Sequence, residues 1–223
     1  MIERVDKLLW GKTLQGRFEM TVKTPAWERT LKLLVWVERP ERSFIRITAP
    51  AKEAGIGSLR IRTEMWNYLP SIERVIKLPP SMMLQPWMGS DFSNDDLVKE
   101  SSIVNDYQHR LLDSVVVDNA PAYRIEAVPK PDAAVVWGKI IYTVRQGDLI
   151  PLKEDFYSER GELVRTMTFS DVRTVGGRIM PTRWEMRPTA KPGHVTTVVI
   201  EQASYDSALD PEVFTQRNLQ KRQ

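Results

Sequence analysis

Between residues 14 and 206 apolar and polar side chains alternate with a period of two, and Gly, Pro, Asn and Asp interrupt the alternation at hairpin-like intervals. Successive side chains of a strand point to opposite faces, so this pattern predicts a mainly β, antiparallel protein whose strands each have one wet and one apolar face. Phe18, Met20 and Val22 fall on one face and Glu19, Thr21 and Lys23 on the other, and Ile45/Ile47 and Tyr123/Ile125 read the same way. Leu163, Met167 and Phe169 alternate with Thr166, Thr168 and Ser170, as Trp184 and Met186 do with Arg183, Glu185 and Arg187. These strands are expected to line a common apolar surface. Turn-favouring residues at Glu38-Arg-Pro-Glu41, Val117-Asp-Asn-Ala120, Gln146-Gly-Asp148, Ser158-Glu-Arg-Gly161 and Gly176-Gly177 separate the runs into hairpins. Around residues 30–37 the alternation weakens, since Leu33 to Val37 are all apolar, which predicts a strand covered on both faces.

Three short helices interrupt this pattern. Ile2, Val5, Leu8 and Leu9 sit at helical spacing with Gly11 as a stop. Ser93-Asn-Asp-Asp96 is a capping arrangement ahead of Leu97 and Val98, and Asp210-Pro211 places a cap before a proline at the first helical position. The segment at residues 79–100 fits neither periodicity. It opens on two prolines, contains a third at Pro86, and crowds Met82, Met83, Leu84, Trp87, Met88 and Phe92 into an irregular stretch. Irregular segments are normally polar, so one this apolar must cover something apolar, either as a lid or as a plug of a sheet core. Methionine with a few aromatic rings makes a surface that repacks around ligands of differing shape.

Composition narrows the chemistry more than it identifies it. The chain has 223 residues and a formal net charge of +3, with no block of basic residues that would point to nucleic acid. One domain spanning residues 1–223 is expected, because all-β domains of this length are commonly single. The basic residues 217–222 read as a solvated tail. There is no cysteine, which removes disulfides, thiolate metal sites, a cysteine nucleophile and acylation at a lipobox cysteine. His109 and His194 have no partner at metal-ligand spacing, and Asp91, Asp95 and Asp96 are better explained by helix capping than by calcium. No nucleophile elbow, phosphate loop or dinucleotide fingerprint is present, so no enzyme activity, cofactor or metal is expected. No apolar run approaches the roughly 20 residues that span a bilayer.

The runs Arg46-Ile-Thr-Ala-Pro50, Glu64-Met-Trp-Asn-Tyr-Leu-Pro70, Arg74-Val-Ile-Lys-Leu-Pro-Pro-Ser-Met-Met83, Trp87-Met-Gly-Ser-Asp-Phe92 and Pro181-Thr-Arg-Trp-Glu-Met186 occur in order along the chain. Together they resemble the outer-membrane lipoprotein-sorting proteins of the LolA-like superfamily, in the branch associated with resistance-nodulation-division (RND) exporters. The resemblance implies a strongly curved antiparallel sheet forming an incomplete (half) β-barrel, with short helices and loops as a lid over acyl chains. It also implies a periplasmic location, with a signal peptide removed, since the charged start of the chain does not read as one. The groove wall is expected to include Met20, Trp36, Trp66, Tyr68, Met167, Phe169, Trp184 and Met186. Met82, Met83, Trp87, Met88 and Phe92 are expected to close it as a segment held less firmly than the strands. The implied function is a monomeric carrier of lipid or lipoprotein acyl chains that meets a membrane transporter or outer-membrane acceptor transiently. Arg74, Lys77, Lys99 and Glu100 are the expected docking rim. The alternative is an exporter adaptor whose groove is filled by its own core.

Overall fold

The computed structural model describes residues 1–98, 103–133 and 135–221. After helix α1 (Ile2–Trp10), the chain forms β1 (Thr13–Lys23), β2 (Glu28–Glu38), β3 (Arg42–Ala49), β4 (Gly57–Ile61), β5 (Glu64–Leu69) and β6 (Arg74–Lys77). A connecting segment follows, with turns of 3-10 helix at Pro80–Met82 and Trp87–Gly89 and helix α2 (Asn94–Val98). Then come β7 (Tyr107–Val117), β8 (Ala120–Pro129), β9 (Lys139–Arg145), β10 (Pro151–Tyr157), β11 (Leu163–Val175), β12 (Arg178–Pro188) and β13 (Val195–Tyr205). A 3-10 turn at Pro211–Phe214 and helix α3 (Gln216–Leu219) end the described fold.

All thirteen strands join one antiparallel sheet in the order β6-β5-β4-β3-β2-β1-β13-β12-β11-β10-β9-β8-β7. The topology is two meanders sewn together along β1 and β13, and it leaves β6 and β7 as the two open edges. The segment after β6 must therefore travel from one edge of the sheet to the other. Register shifts at Arg17/Phe18, Lys32/Leu33, Leu111/Asp113 and Phe156/Tyr157 bend the strands, since a bulge adds local twist and lets a sheet curl. The result is an open, curved half-barrel, as the sequence reading expected.

Local signals act where they were read. Gly11 adopts φ 63° and its N–H donates to the carbonyl of Lys7 at 3.1 Å, ending α1. Asp118 and Asn119 have φ 49° and 62°, and Gly176 and Gly177 have 56° and 75°. Positive φ at both central residues is the two-residue hairpin turn that matches strand twist. At α2, Ser93 N–H donates to Asp96 Oδ2 at 2.7 Å while Asp96 N–H donates to Ser93 Oγ at 3.1 Å, a reciprocal cap. Asp210 Oδ1 accepts from the N–H of Glu212 at 2.9 Å.

Strand β2 is apolar on both faces, and each face has its own core. Leu31, Leu33, Val35 and Val37 join Phe18, Met20, Phe169 and Trp184 on the concave side. Trp36 faces the other way, against Phe44, Leu59, Tyr68, Phe214 and Leu219. The C-terminal segment is thus a cover for the convex face. The expectation of a solvated tail fails at Leu219, which is fully buried, and at Arg46, whose guanidinium donates to the carbonyls of Asn218 at 2.6 Å and Lys221 at 2.8 Å. Arg222 lies outside the described residues.

Candidate ligand cavity

The concave face holds a half-open cavity of about 300 Å³ between the sheet, α1 and the connecting segment. Strand register explains which side chains reach it. Met20 pairs with Val198, Val198 with Trp184, Trp184 with Phe169, and Met186 with Met167. Directly paired residues of antiparallel strands share a face, so these residues form one apolar wall across four strands. Phe169 and Trp184 meet edge to face at 5.8 Å, and Trp10 of α1 stands against Trp184 at 5.4 Å. Ile2, Val5 and Leu9 of α1 complete one side.

Of the expected groove residues, Met20, Trp87, Phe92, Met167, Phe169, Trp184 and Met186 line this cavity. Trp36, Trp66 and Tyr68 do not: they belong to the convex cluster under the C-terminal segment. The register shows why. Trp36 pairs with Phe44, Phe44 with Leu59, and Leu59 with Trp66, while the cavity face of the same strands carries Val35, Ile45 and Arg60. Assigning an aromatic residue inward on a strand apolar on both faces chose the wrong face, and a one-residue choice reverses the whole set. Met83 and Met88 pack on the concave core without lining the cavity, and Met82 is exposed.

The connecting segment lies over the cavity and is tied down by polar contacts, more firmly than its irregular sequence suggested. The Trp87 indole N–H donates to Ser58 Oγ at 3.0 Å, and Ser58 Oγ donates to Asn67 Oδ1 at 2.7 Å. Arg29 donates to the Met88 carbonyl. Thr196 Oγ1 donates to Asp91 Oδ2 at 2.7 Å, and Asn94 Nδ2 donates to the Met82 carbonyl at 3.0 Å. Asp96 receives both terminal nitrogens of Arg165, at 2.7 and 2.6 Å. Bidentate, charge-assisted bonds of this kind are the strong ones. Trp87 itself is 3% exposed.

Several charged groups in the wall were missed by the sequence reading. Arg165 is 7% exposed and its guanidinium lies over the rings of Trp137 at 4.4 Å and Phe156 at 4.7 Å. Asp6 of α1 pairs with Arg39 at 2.8 Å, and Arg60 donates to the Pro40 carbonyl at 2.9 Å. Glu154 also lines the cavity, buried at 8% exposure. Burial pushes its carboxyl up to about 8, against the opposing pull of Arg165 and with help from Asp6. Burial likewise raises the Tyr142 hydroxyl well above the usual phenol range, with Glu154 adding to it. Their signal was present as charged residues in inward slots of the alternation, Glu154 two residues before Phe156 and Arg165 two before Met167.

His109 and His194 are absent from the cavity wall; His109 Nε2 lies 2.7 Å from the Ile103 carbonyl. No cluster able to hold a metal occurs among the described residues. Of the expected rim, Lys77 is ion-paired with Glu64 at the sheet edge and Arg74 is exposed, while Lys99 and Glu100 lie outside the described residues.

A family model described as an uncharacterized-protein-like family matches residues 39–221. The chain belongs to that family. Solved structures identify the fold. A DUF1329 family protein from Desulfovibrio piger superposes with a TM-score of 0.86 at 23% identity, covering 97% of this chain and 95% of that one. A LolA superfamily protein from Nitrosomonas europaea gives 0.80 at 24%, with 97% and 96% covered. An outer membrane lipoprotein-sorting protein domain from Vibrio parahaemolyticus, a provisional designation, gives 0.79 at 19%, with 94% and 92% covered. The chain therefore shares its fold with these proteins. No curated protein matches the sequence. No helix among the described residues is long and apolar enough to cross a membrane.

Proposed function

We propose that this chain is a carrier, not a catalyst, that shelters a lipid or lipoprotein acyl chain in its concave cavity and moves it between membranes of a bacterial envelope. The observation that carries this reading is the cavity itself: concave, half-open, mostly apolar, and bounded by a segment that crosses from one open edge of the sheet to the other. Its likeness in fold to proteins described as lipoprotein-sorting supports the same reading. Ligand sites are characteristically concave and apolar with a few placed polar groups. A methylene takes up about the volume of a water molecule, roughly 30 Å³, so the cavity has room for about ten chain carbons. At about 0.8 kcal/mol per methylene, that chain contributes on the order of 8 kcal/mol before ordering costs.

A longer chain needs the lid to move. The lid presents Met82 and Leu84 outward, at 46% and 63% exposure, so a membrane transporter or acceptor would meet apolar side chains there first. We place the protein in the periplasm as a single-domain monomer on the strength of its fold and this mode of action. Loading with an apolar fluorescent probe, followed by displacement with single-chain lipids, tests the reading. Saturable uptake and displacement are expected, and no uptake under any lipid condition would instead favour an adaptor whose groove is closed core.

A further inference from the structure

One pair of cavity side chains is not used by an apolar chain. Glu154 on β10 stands directly across from Tyr142 on β9, and both side chains line the cavity. Cross-strand partners on one face have Cβ atoms about 4.5 to 5.5 Å apart, close enough to address one ligand atom. Both residues are buried, at 8% and 6% exposure, yet neither makes a hydrogen bond or ion pair among the described residues. A buried polar group without a partner costs stability, and a ligand entering the cavity is one partner that would relieve it.

The charges around the pair are already matched. From β11, Arg165 faces Glu154 but is held by Asp96 of α2; from α1, Asp6 faces it but is held by Arg39. Arg60, the other arginine of the wall, donates to the carbonyls of Pro40 and Arg62, and Tyr107 of β7 faces Tyr142. Among the described residues, the one cationic N–H near the pair without a partner is therefore Arg165 Nε, in a guanidinium that lies over the rings of Trp137 and Phe156. A neutral carboxyl and a phenol, by contrast, are two O–H donors, and two donors on paired positions of one cavity face suit a single carbonyl oxygen with its two lone pairs. A neutral acid and a tyrosine held beside each other in an apolar site is an arrangement that binds such oxygens in at least one well-known enzyme.

We propose that Glu154 and Tyr142 form a head-group subsite that donates two hydrogen bonds to the uncharged ester or amide carbonyl of an acylated ligand, and so selects acyl esters and amides over free fatty-acid anions. This rests on the reading of the cavity as an acyl-chain site, and it names which acyl compounds that site takes. The proton sits on Glu154 at neutral pH because burial disfavours its anion. Above about pH 8 the carboxylate loses its donor and repels the carbonyl oxygen.

The test compares three probes on the full chain: an apolar fluorophore, monopalmitoylglycerol, and palmitate, the last two measured by displacement of the first at pH 7 and pH 9. The wild type is expected to bind the ester about tenfold more tightly than palmitate at pH 7, and at pH 9 the affinity for the ester relative to the fluorophore is expected to fall while palmitate, now facing a carboxylate, gains nothing. Glu154→Leu and Tyr142→Phe should each lower the ratio of ester to fluorophore affinity by roughly fivefold, the worth of one hydrogen bond. Glu154→Gln, which keeps a donor and cannot ionise, should retain the ester preference at both pH values, and it guards against loss of folding in the leucine variant. If the fluorophore enters and the ester ratio is unchanged in Glu154→Leu and Tyr142→Phe, or if palmitate wins in the wild type, the subsite is overturned and the carrier survives. If the fluorophore does not enter the wild type, the carrier reading and this one fall together.

Discussion

The buried carboxyl of Glu154 makes a prediction about stability that needs no ligand. Its ordinary value of 4.5 is raised to about 8 in the folded chain, with burial as the main cause. The native state therefore holds this proton more tightly than the unfolded state. Stability from this group is complete below about pH 4.5 and is lost as the pH rises through about 8. At about 1.4 kcal/mol per unit, the full loss is on the order of 5 kcal/mol, of which about 3 kcal/mol has gone by pH 7. That is a large share of the roughly 5–15 kcal/mol that holds a domain together. Glu154→Gln removes the titration and keeps the shape. Urea unfolding followed by tryptophan fluorescence at pH 5.5, 7 and 8.5 should show the wild type weakening steadily and the variant nearly level, so that the variant is the more stable of the two at pH 8.5. The carboxylates held low, Asp148 by its bonds to Arg145 and Asp206 first by the Lys12 backbone N–H and then by Arg178, work in the opposite sense, but in acid below this window. A wild type that stays level from pH 5.5 to 8.5, or a variant that keeps the slope, would refute the reasoning.

Other consequences follow from the packing. Trp87→Ala should cost roughly 3–5 kcal/mol of stability, the usual penalty for deleting a buried aromatic ring, and should weaken probe uptake; Trp87→Phe, which loses the bond to Ser58 and part of the ring volume but keeps an aromatic ring in place, should be milder in both assays. Arg165→Met leaves Asp96 part-buried without its cation, and a loss of roughly 3–5 kcal/mol in chemical denaturation is expected, with Arg165→Met/Asp96→Asn, which removes the charge and keeps an acceptor for the Ser93 cap, recovering part of it. Trp36→Ala should lower stability by roughly 2–3 kcal/mol, since its ring is only partly buried, while probe affinity stays where it was because the ring lies on the convex face. A change in probe affinity in that variant would put the face assignment in error.

The curved sheet was readable because period-two alternation and turn chemistry are local properties, and each hairpin from Val117 to Ala120 or at Gly176 and Gly177 is decided by its own few residues. The first helix and the two caps were readable for the same reason. What alternation could not decide was the direction of a strand apolar on both faces: Trp36 lies on the far side of β2 because the C-terminal segment packs there, about 180 residues further along the chain. The role of that segment was hidden by its basic composition, which disguised the buried Leu219 and the carbonyls that Arg46 requires. The polar wall was legible in principle. Glu154 and Arg165 occupy inward slots, and reading every inward charged residue as a site candidate, instead of skipping it in favour of the apolar residues either side, would have found both.

The central claim is that the concave cavity receives an acyl chain. Native mass spectrometry of the gently purified protein, with lipid extraction of the same sample, tests it most directly. Co-purified single-chain or acylated lipid at near-stoichiometric amounts, displaced by the apolar fluorophore, is the predicted result. Protein that is free of lipid as isolated and that neither takes up the fluorophore nor gains mass when incubated with monopalmitoylglycerol would contradict it.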